Sequence, residues 1–264
     1  KHLSVLCNQM VNFLGIMQNE WAGAQAFSSF DTYLAPFVKT DHLTYPEVKK
    51  CIEAFIYGVN TPSRWGTQAP FSNITLDWTV PDDLAELPAI VGGKEMDFKY
   101  KDCKQEMDMV NKAFIETMIE GDANGRGFQY PIPTYSITKE FDWSDTENNR
   151  LLFEMTSKYG TPYFSNYINS DMQPSDVRSM CCRLRLDLRE LRKKTGGYFG
   201  SGESTGSVGV VTINMPRIAY LSQDEDEFYQ RLDRLMAYNG LAMCDIYDGA
   251  YDLSLIHISE PTRQ

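Results

Sequence analysis

Ser72–Trp78 reads SNITLDW, with an apolar side chain at every second position. Ile74, Leu76 and Trp78 share one face if the segment is extended, which predicts a strand with one side committed to a core. The neighbouring segments follow the other period. Leu3, Leu6, Met10, Phe13, Leu14 and Met17 repeat at helical spacing between His2 and about Asn19. TYPEVKKCIEAFIYGVN places Thr44 to cap, Pro46 in a first turn, and Ile52, Phe55 and Ile56 along one stripe. Further helices are expected near Lys104–Glu120, over SDTENNRLLFEMTSKYG with Ser144 as N-cap and Gly160 as stop, over LRLDLRELRKKTGG, and over DEDEFYQRLDRLMAYNG. FQYPIPTYSI is expected to be a short strand interrupted by prolines, and VGVVTINMP a buried parallel strand. Val80 to about Lys94 is expected to be a loop. Helices alternating with short buried strands give an α/β fold, as a barrel or a wound sheet.

Charge and cysteine usage remove several function classes. The formal net charge is −11, so the phosphate backbone of a nucleic acid is not attracted non-specifically. Cys7, Cys51, Cys103, Cys181, Cys182 and Cys244 form no CxxC pair, which fits reduced thiols in a cytoplasm. His2, His42 and His257 do not cluster, so neither a histidine zinc site nor a Ser-His-Asp triad is indicated. No apolar run reaches the roughly 18 residues of a membrane span. Asp122, Asn124 and Gly127 imitate the start of a calcium loop, but Pro133 stands where a glutamate is required, so no metal site is assigned. The chain starts at Lys1 within a helical pattern and is expected to be a piece of a longer one. LSLIHISEPTRQ, residues 253–264, resembles translated adaptor sequence and is set apart from the domain expected over 1–252.

The adjacent pair Cys181-Cys182 in SMCCRLRLD is the unusual feature. Both are consistent with small buried residues. Pro174, Ser175 and Asp176 precede them, which favours a loop. In an extended loop Met180 and Cys182 share a side and Cys181 faces away, so Cys182 is the better placed for chemistry. SRWGTQAPFSN gathers Ser63, Thr67, Gln68, Ser72 and Asn73 just before a strand, where Ser72 and Asn73 could bond a ribose or phosphate, or their own backbone. Asn214 closes the VGVVTIN run, where barrel sites gather, and Arg217 beside it could meet phosphate or a surface carboxylate. The Gly/Ser run GESTGS could present amides to an anion but lacks the GK[ST] of a P-loop. Ala22, Gly23 and Ala24 would permit close helix packing, including across a dimer.

Six ordered blocks carry a resemblance: NEWAGAQAFSSFDTYLAPF, NTPSRWGTQAPFSNITLDW, PIPTYSITKEFDW, YGTPYFSNYINSD, SMCCRLRLD and STGSVGVVTINMPRIAYLS. Together they resemble the central part of the anaerobic, class III ribonucleoside-triphosphate reductases, from the first residues to about Asp252. A common form of the family's cysteine motif is Met-Gly-Cys-Arg. Met180-Cys181-Cys182-Arg183 matches it, with Cys181 at the glycine position. The resemblance implies a ten-stranded α/β barrel of the glycyl-radical enzyme type, here incomplete at both ends, with an internal finger loop carrying Cys182. It implies that Cys182 becomes a thiyl radical that removes the 3′-hydrogen of a ribonucleotide before water leaves from C2′. A dry, closed site suits such a species. Met180 matches the family methionine of formate-using members.

The resemblance also implies a C-terminal glycyl radical made by a radical-SAM iron–sulfur activase, a structural zinc, nucleoside triphosphate effectors, a homodimer and, in some members, an ATP-cone. None of those motifs occurs in this sequence, so the chain alone is expected to be inactive. Two alternatives stand beside this one. Another glycyl-radical enzyme, such as a pyruvate formate-lyase relative, would share the barrel and the loop cysteine. A non-catalytic nucleotide-binding or dimerisation remnant would bind without chemistry.

Overall fold

A computed structural model describes residues 2–20, 23–62, 68–168, 177–181, 184–187 and 213–238. Two compact units are distinguished, one formed by 1–20 and 24–205, the other by 21–23 and 206–264.

The first unit is a parallel sheet with helices on one face. Its strands are β1 (Gln25–Phe27), β2 (Ser72–Leu76), β5 (Ile132–Ile137) and β6 (Tyr163–Asn166), in the spatial order β1-β2-β5-β6. All three pairings are parallel. The helices are α1 (Leu3–Met17), α2 (Phe30–Thr40), α3 (Tyr45–Val59), α5 (Lys104–Glu120) and α6 (Glu147–Tyr159), with a single turn α4 (Asp82–Ala85). Space follows sequence in this sheet. Right-handed crossovers between strands that advance in one direction put every connecting helix on the same face. A doubly wound sheet would need a reversal of order. The main core accordingly joins Leu3, Cys7, Met10 and Leu14 of α1 and Phe55 of α3 to Ile74, Leu76, Tyr135 and Ile137 of the sheet, and a smaller cluster gathers Ala35, Cys103 and Met107.

Local chemistry accounts for the boundaries. Glu47 accepts the backbone N–H of Thr44 at 2.8 Å and its hydroxyl at 2.6 Å, and Pro46 occupies the first turn of α3. The Thr146 hydroxyl, rather than Ser144, caps α6 by accepting from Asn149 N at 3.2 Å. Ser144 instead gives its amide to Asp142 Oδ1 in the preceding turn. Gly160 ends α6 in the left-handed region, as expected. Gly58 lets α3 approach α1, since a Cβ there would stand 2.8 Å from Val11 Cγ2. Asn60 then ties the end of α3 to the entry of β5. Its Oδ1 accepts the amides of Gln129 and Tyr130, and its Nδ2 donates to the carbonyls of Ile56 and Tyr130.

Several expectations are corrected. Val80–Lys94 is not a plain loop: it holds α4 and then β3 (Pro88–Val91), which pairs antiparallel with β4 (Lys94–Lys99). A 3-10 turn, Tyr100–Cys103, leads on into α5. Leu184–Asp187 does not start a helix but forms strand β8, paired antiparallel with β7 (Val177–Cys181). Gly23 has φ +80 and opens into β1 rather than lying in a helix, and Ala22 lies outside the described residues. Phe13 lies off the buried stripe of α1 and packs on Phe27 at 6.0 Å between ring centroids. Residues 208–212 of the expected VGVVTI strand lie outside the described residues. No described helix is long and apolar enough to cross a membrane.

The turn after α5 is closed by Asp122, whose Oδ1 accepts the amides of Asn124 and Arg126 at 2.8 and 2.9 Å. These bonds give the acidic residue of the DANGRG segment a structural role in its own turn. Gly121 has φ +76, and a Cβ there would meet Arg126 O at 2.5 Å. Gly121→Ala is therefore expected to cost on the order of 2–3 kcal/mol in urea unfolding. Gly125→Ala, also at positive φ but with nothing within 4 Å of the added carbon, should cost about 1 kcal/mol. Equal losses at the two positions would remove the clash as the cause.

A buried carboxylate fixes the far end of β2. Asp31 is fully buried in the first turn of α2. Its Oδ1 accepts the amides of Thr32 and Asp77, and its Oδ2 accepts Trp78 N and Asn111 Nδ2. Asn111 Oδ1 in turn accepts the Tyr135 hydroxyl at 3.1 Å. Burial pushes the Asp31 carboxyl above its ordinary range, against the pull of Asn111 and the three amides.

In the second unit, α7 (Met215–Leu221) is followed by α8 over residues 225–238. Asn214 caps α7 and Pro216 sits in its first turn.

Candidate functional site

Strand alternation and register divide the sheet into two chemically different faces. Ile74 and Leu76 of β2 and Tyr135 and Ile137 of β5 point into the helical core. The residues between them point the other way. Asn73 and Thr75 of β2 then lie beside Thr134 and Ser136 of β5, with Ser165 of β6 in register with Ser136. This second face is small and polar, yet most of it is buried: Asn73 is 0% exposed, Ser136 3% and Thr134 5%, while Thr75 and Ser165 are half-buried.

The polar atoms on β2 are not all satisfied. Asn73 Nδ2 donates to Thr134 Oγ1 at 3.3 Å. Asn73 Oδ1, Thr75 Oγ1 and Ser72 Oγ are buried and have no hydrogen-bond partner among the described residues. Buried polar groups in native proteins are normally paired, so the Asn73 and Thr75 orphans, which share one face of β2, mark a place where another polar group belongs.

The cysteine hairpin lies next to this strand. β7 comes within 8 Å, Cα to Cα, of both β1 and β2. Its pairing runs Val177 to Asp187, Arg178 to Leu186 and Ser179 to Arg185, then shifts to Cys181 opposite Leu184. Met180 is the extra residue of that β-bulge. A bulge bends its strand and re-aims the residues beyond it, and such irregularities recur beside functional sites. It also breaks the simple alternation from which Met180 and Cys182 were expected to share a side.

The expected site residues are therefore placed unequally. Ser72 and Asn73 both start β2, at its N-terminal end. Alternation sends them to opposite faces, Asn73 to the polar one and Ser72 to the side of Ile74. Met180 lies on β7 close to β2. Cys182 lies outside the described residues, immediately after β7 in sequence, as do Ser63, Thr67 and the GESTGS run. Gln68 is exposed. Asn214 belongs to the second unit, where its Oδ1 accepts Arg217 N at 3.0 Å.

Sequence reasoning missed Thr75, Thr134 and Ser136. The signal was present: in SNITL and IPTYSI, hydroxyls alternate with the core residues.

The other described cysteines are unsuited to thiolate chemistry. Burial pushes the Cys7 thiol up to about 12 and the Cys103 thiol up to about 11, and raises Cys51 as well. All three are free.

The sequence matches the profile of the family described as anaerobic ribonucleoside-triphosphate reductase over residues 1–244. The chain belongs to the anaerobic ribonucleoside-triphosphate reductase family. That match separates it from the pyruvate formate-lyase alternative. No curated protein matches the sequence. Among solved structures, the chain is similar to the anaerobic ribonucleotide reductase of Thermotoga maritima with citrate in the active site. The TM-score is 0.62 at 21% identity, covering 98% of this chain and 46% of that one. The same enzyme in complex with dATP and CTP gives a TM-score of 0.58 at 18% identity, covering 99% and 43%. With dATP bound in the specificity site it gives 0.57 at 18%, covering 99% and 44%. At these identities the likeness carries the mixed α/β fold with its parallel sheet. This reductase-family chain spans less than half the length of the structures it matches.

Proposed function

We propose that this chain is part of the catalytic core of a radical ribonucleoside-triphosphate reductase, forming 2′-deoxyribonucleoside triphosphates in the cytoplasm. The observation that carries this is the buried polar face of the sheet, with its orphaned Asn73 and Thr75 oxygens, lying beside the strand that leads into Cys182. The one-directional strand order supports a ten-stranded barrel, because such a sheet keeps helices outside and leaves its other face to line an interior.

In this reading Cys182 is the hydrogen-abstracting residue. A C-terminal glycyl radical, generated by a radical-SAM activase, supplies the oxidising equivalent when the longer polypeptide is complete. The Cys182 sulfur then takes the hydrogen atom from C3′, leaving a carbon radical and a thiol. The 2′-hydroxyl departs as water, two electrons enter from a reductant such as formate, and the thiol returns its hydrogen to C3′. Met180 stands beside this chemistry, as in the formate-using members. Asn73 offers a carboxamide oxygen to a sugar hydroxyl. Ser72 and Asn214 are weaker substrate contacts, since Ser72 turns to the other face and Asn214 already caps α7. The structural zinc, the nucleoside triphosphate effectors and the homodimer belong to the same proposal. The dATP in the specificity site of the Thermotoga maritima enzyme supports the effector.

The test is an anaerobic assay of the longer polypeptide containing this segment, activated by its radical-SAM partner and supplied with formate or a thiol system. Deoxynucleotide is expected from the activated longer polypeptide and none from the 264-residue chain by itself. A longer polypeptide that holds a glycyl radical yet consumes no ribonucleotide would overturn the assignment, and product from the isolated chain would overturn its dependence on the rest of the polypeptide.

A further inference from the structure

A surface indole in the segment between β5 and α6 is joined, ring by ring, to the centre of the fold. Trp143 is 61% exposed. It packs on Phe141 at 4.5 Å between ring centroids, and Phe141 stacks on Trp78 at 5.7 Å with 13° between the planes. Trp78 meets the Tyr135 ring edge-on at 5.3 Å, and Tyr135 lies 6.5 Å from Phe164 of β6. Phe141, Trp78 and Tyr135 are buried, whereas Phe164 is exposed. The series therefore crosses the core from one surface ring to another.

The backbone around these rings is fixed by hydrogen bonds. Trp78 N belongs to the Asp31 clamp. Thr79 Oγ1 donates to the Glu140 carbonyl at 3.3 Å, which ties the turn after β2 to the segment carrying Phe141. Asn149 Nδ2 of α6 donates to the carbonyls of Asp142 and Ser144, on either side of Trp143. Core packing explains the three buried rings. It does not explain an indole at the outer end, because a side chain left mostly in water adds little apolar burial.

We propose that this series is a path for one-electron oxidation, which drains an oxidising equivalent from the core to Trp143. Indole and phenol rings give up an electron more readily than any other side chains except thiols. Phe141 bridges the two indoles, whose centres are separated by no more than its two ring spacings laid end to end. Solvation sets the direction. An indole cation at Trp78 would be a charge in apolar surroundings. At Trp143 the same cation stands in water, which takes its N–H proton and leaves a neutral radical. Tyr135 is a poor resting place, because its hydroxyl donates to the neutral carboxamide of Asn111, which does not keep a proton. In balance, Trp143 loses one electron and one proton and the oxidant gains one electron. Where that oxidant is a thiyl radical, it takes up the electron with a proton and ends as a thiol. Only this choice of oxidant rests on the reductase reading above.

The experiment places a photo-oxidant at the far end of the series. In the 264-residue chain, Phe164→His carries one ruthenium polypyridyl group, with His2→Gln, His42→Asn and His257→Gln removing the native imidazoles. A flash, with loss of an electron to dissolved hexaammineruthenium(III), leaves oxidised ruthenium beside Tyr135. Transient absorption then follows the tryptophan radical that forms as the label is reduced. Trp143→Phe should lose most of that radical, and Trp78→Phe and Phe141→Leu should slow the reduction of the label. Phe128→Leu, whose ring pairs with Tyr57 outside the series, should change nothing. Trp143 lies on the surface, so its variant keeps the test open if the core variants do not fold. A radical yield unchanged by Trp143→Phe, or no tryptophan radical in the labelled parent, overturns the path. The flash uses neither substrate nor Cys182, so a silent reductase assay and a silent path are separate failures.

Discussion

Asp31→Ala is expected to destabilise the chain by on the order of 3–5 kcal/mol, the range for removing one member of a buried charged network. The size follows from the number of groups abandoned. Three backbone amides and the Asn111 carboxamide all donate to this one carboxylate; the three amides would lose this acceptor in a buried setting, and Asn111 Nδ2 would keep only the Met107 carbonyl. Two of those amides, from Asp77 and Trp78, sit where the chain leaves β2, and Trp78 has φ +65. The clamp therefore holds a turn that the backbone would not adopt unaided. Asp31→Asn should rescue little, although it has the same shape. Each carboxylate oxygen accepts two donors, so whichever way the new amide is turned its NH2 faces two N–H groups. Urea midpoints for the wild type and both variants measure this. An asparagine variant within about 1 kcal/mol of wild type would show that the network does not depend on a full acceptor.

Cys182→Ser is expected to abolish deoxynucleotide formation in the longer activated polypeptide, by at least about a thousandfold. Serine preserves size and polarity but not the bond. An O–H bond is much stronger than a thiol S–H, so an oxygen radical at this position would lie far above the carbon radical it has to exchange with. The same reasoning makes thiol acidity irrelevant, which is why the high values of Cys7 and Cys103 disqualify them only from thiolate roles. Cys181→Ser is the decisive companion. If Cys181 only occupies the family's glycine position, this variant should keep most of the turnover. Loss of turnover in Cys181→Ser with activity retained in Cys182→Ser would exchange the two assignments. The shift of register at Met180 makes that comparison necessary, because alternation cannot be carried past a bulge.

Local chemistry was readable in the sequence, and long-range pairing was not. Lys104–Glu120 and the start of α3 at Thr44-Tyr45-Pro46 follow from periodicity and capping, and the structure has them there. The β3–β4 hairpin escaped because KEMDFK alternates weakly and its strands are stabilised by each other. LRLD looks helical beside LRELRKK, but pairing with Val177–Cys181 decides it, an instance of tertiary context overriding propensity. The Asp31 clamp joins residues 46, 47 and 80 positions apart, so no local pattern announces it. The cysteine motif was legible through resemblance. The polar face was half legible: Asn73 stood out by type, whereas Thr75, Thr134 and Ser136 passed as ordinary strand residues.

The hydroxyl-lined side of the sheet carries a cost that bears on how such a chain would evolve. A valine in place of Thr75 would fill nearly the same volume and remove an oxygen that is buried without a bond. Lineages screened for heat tolerance alone should drift toward valine at Thr75, and the threonine should persist only where turnover is also required.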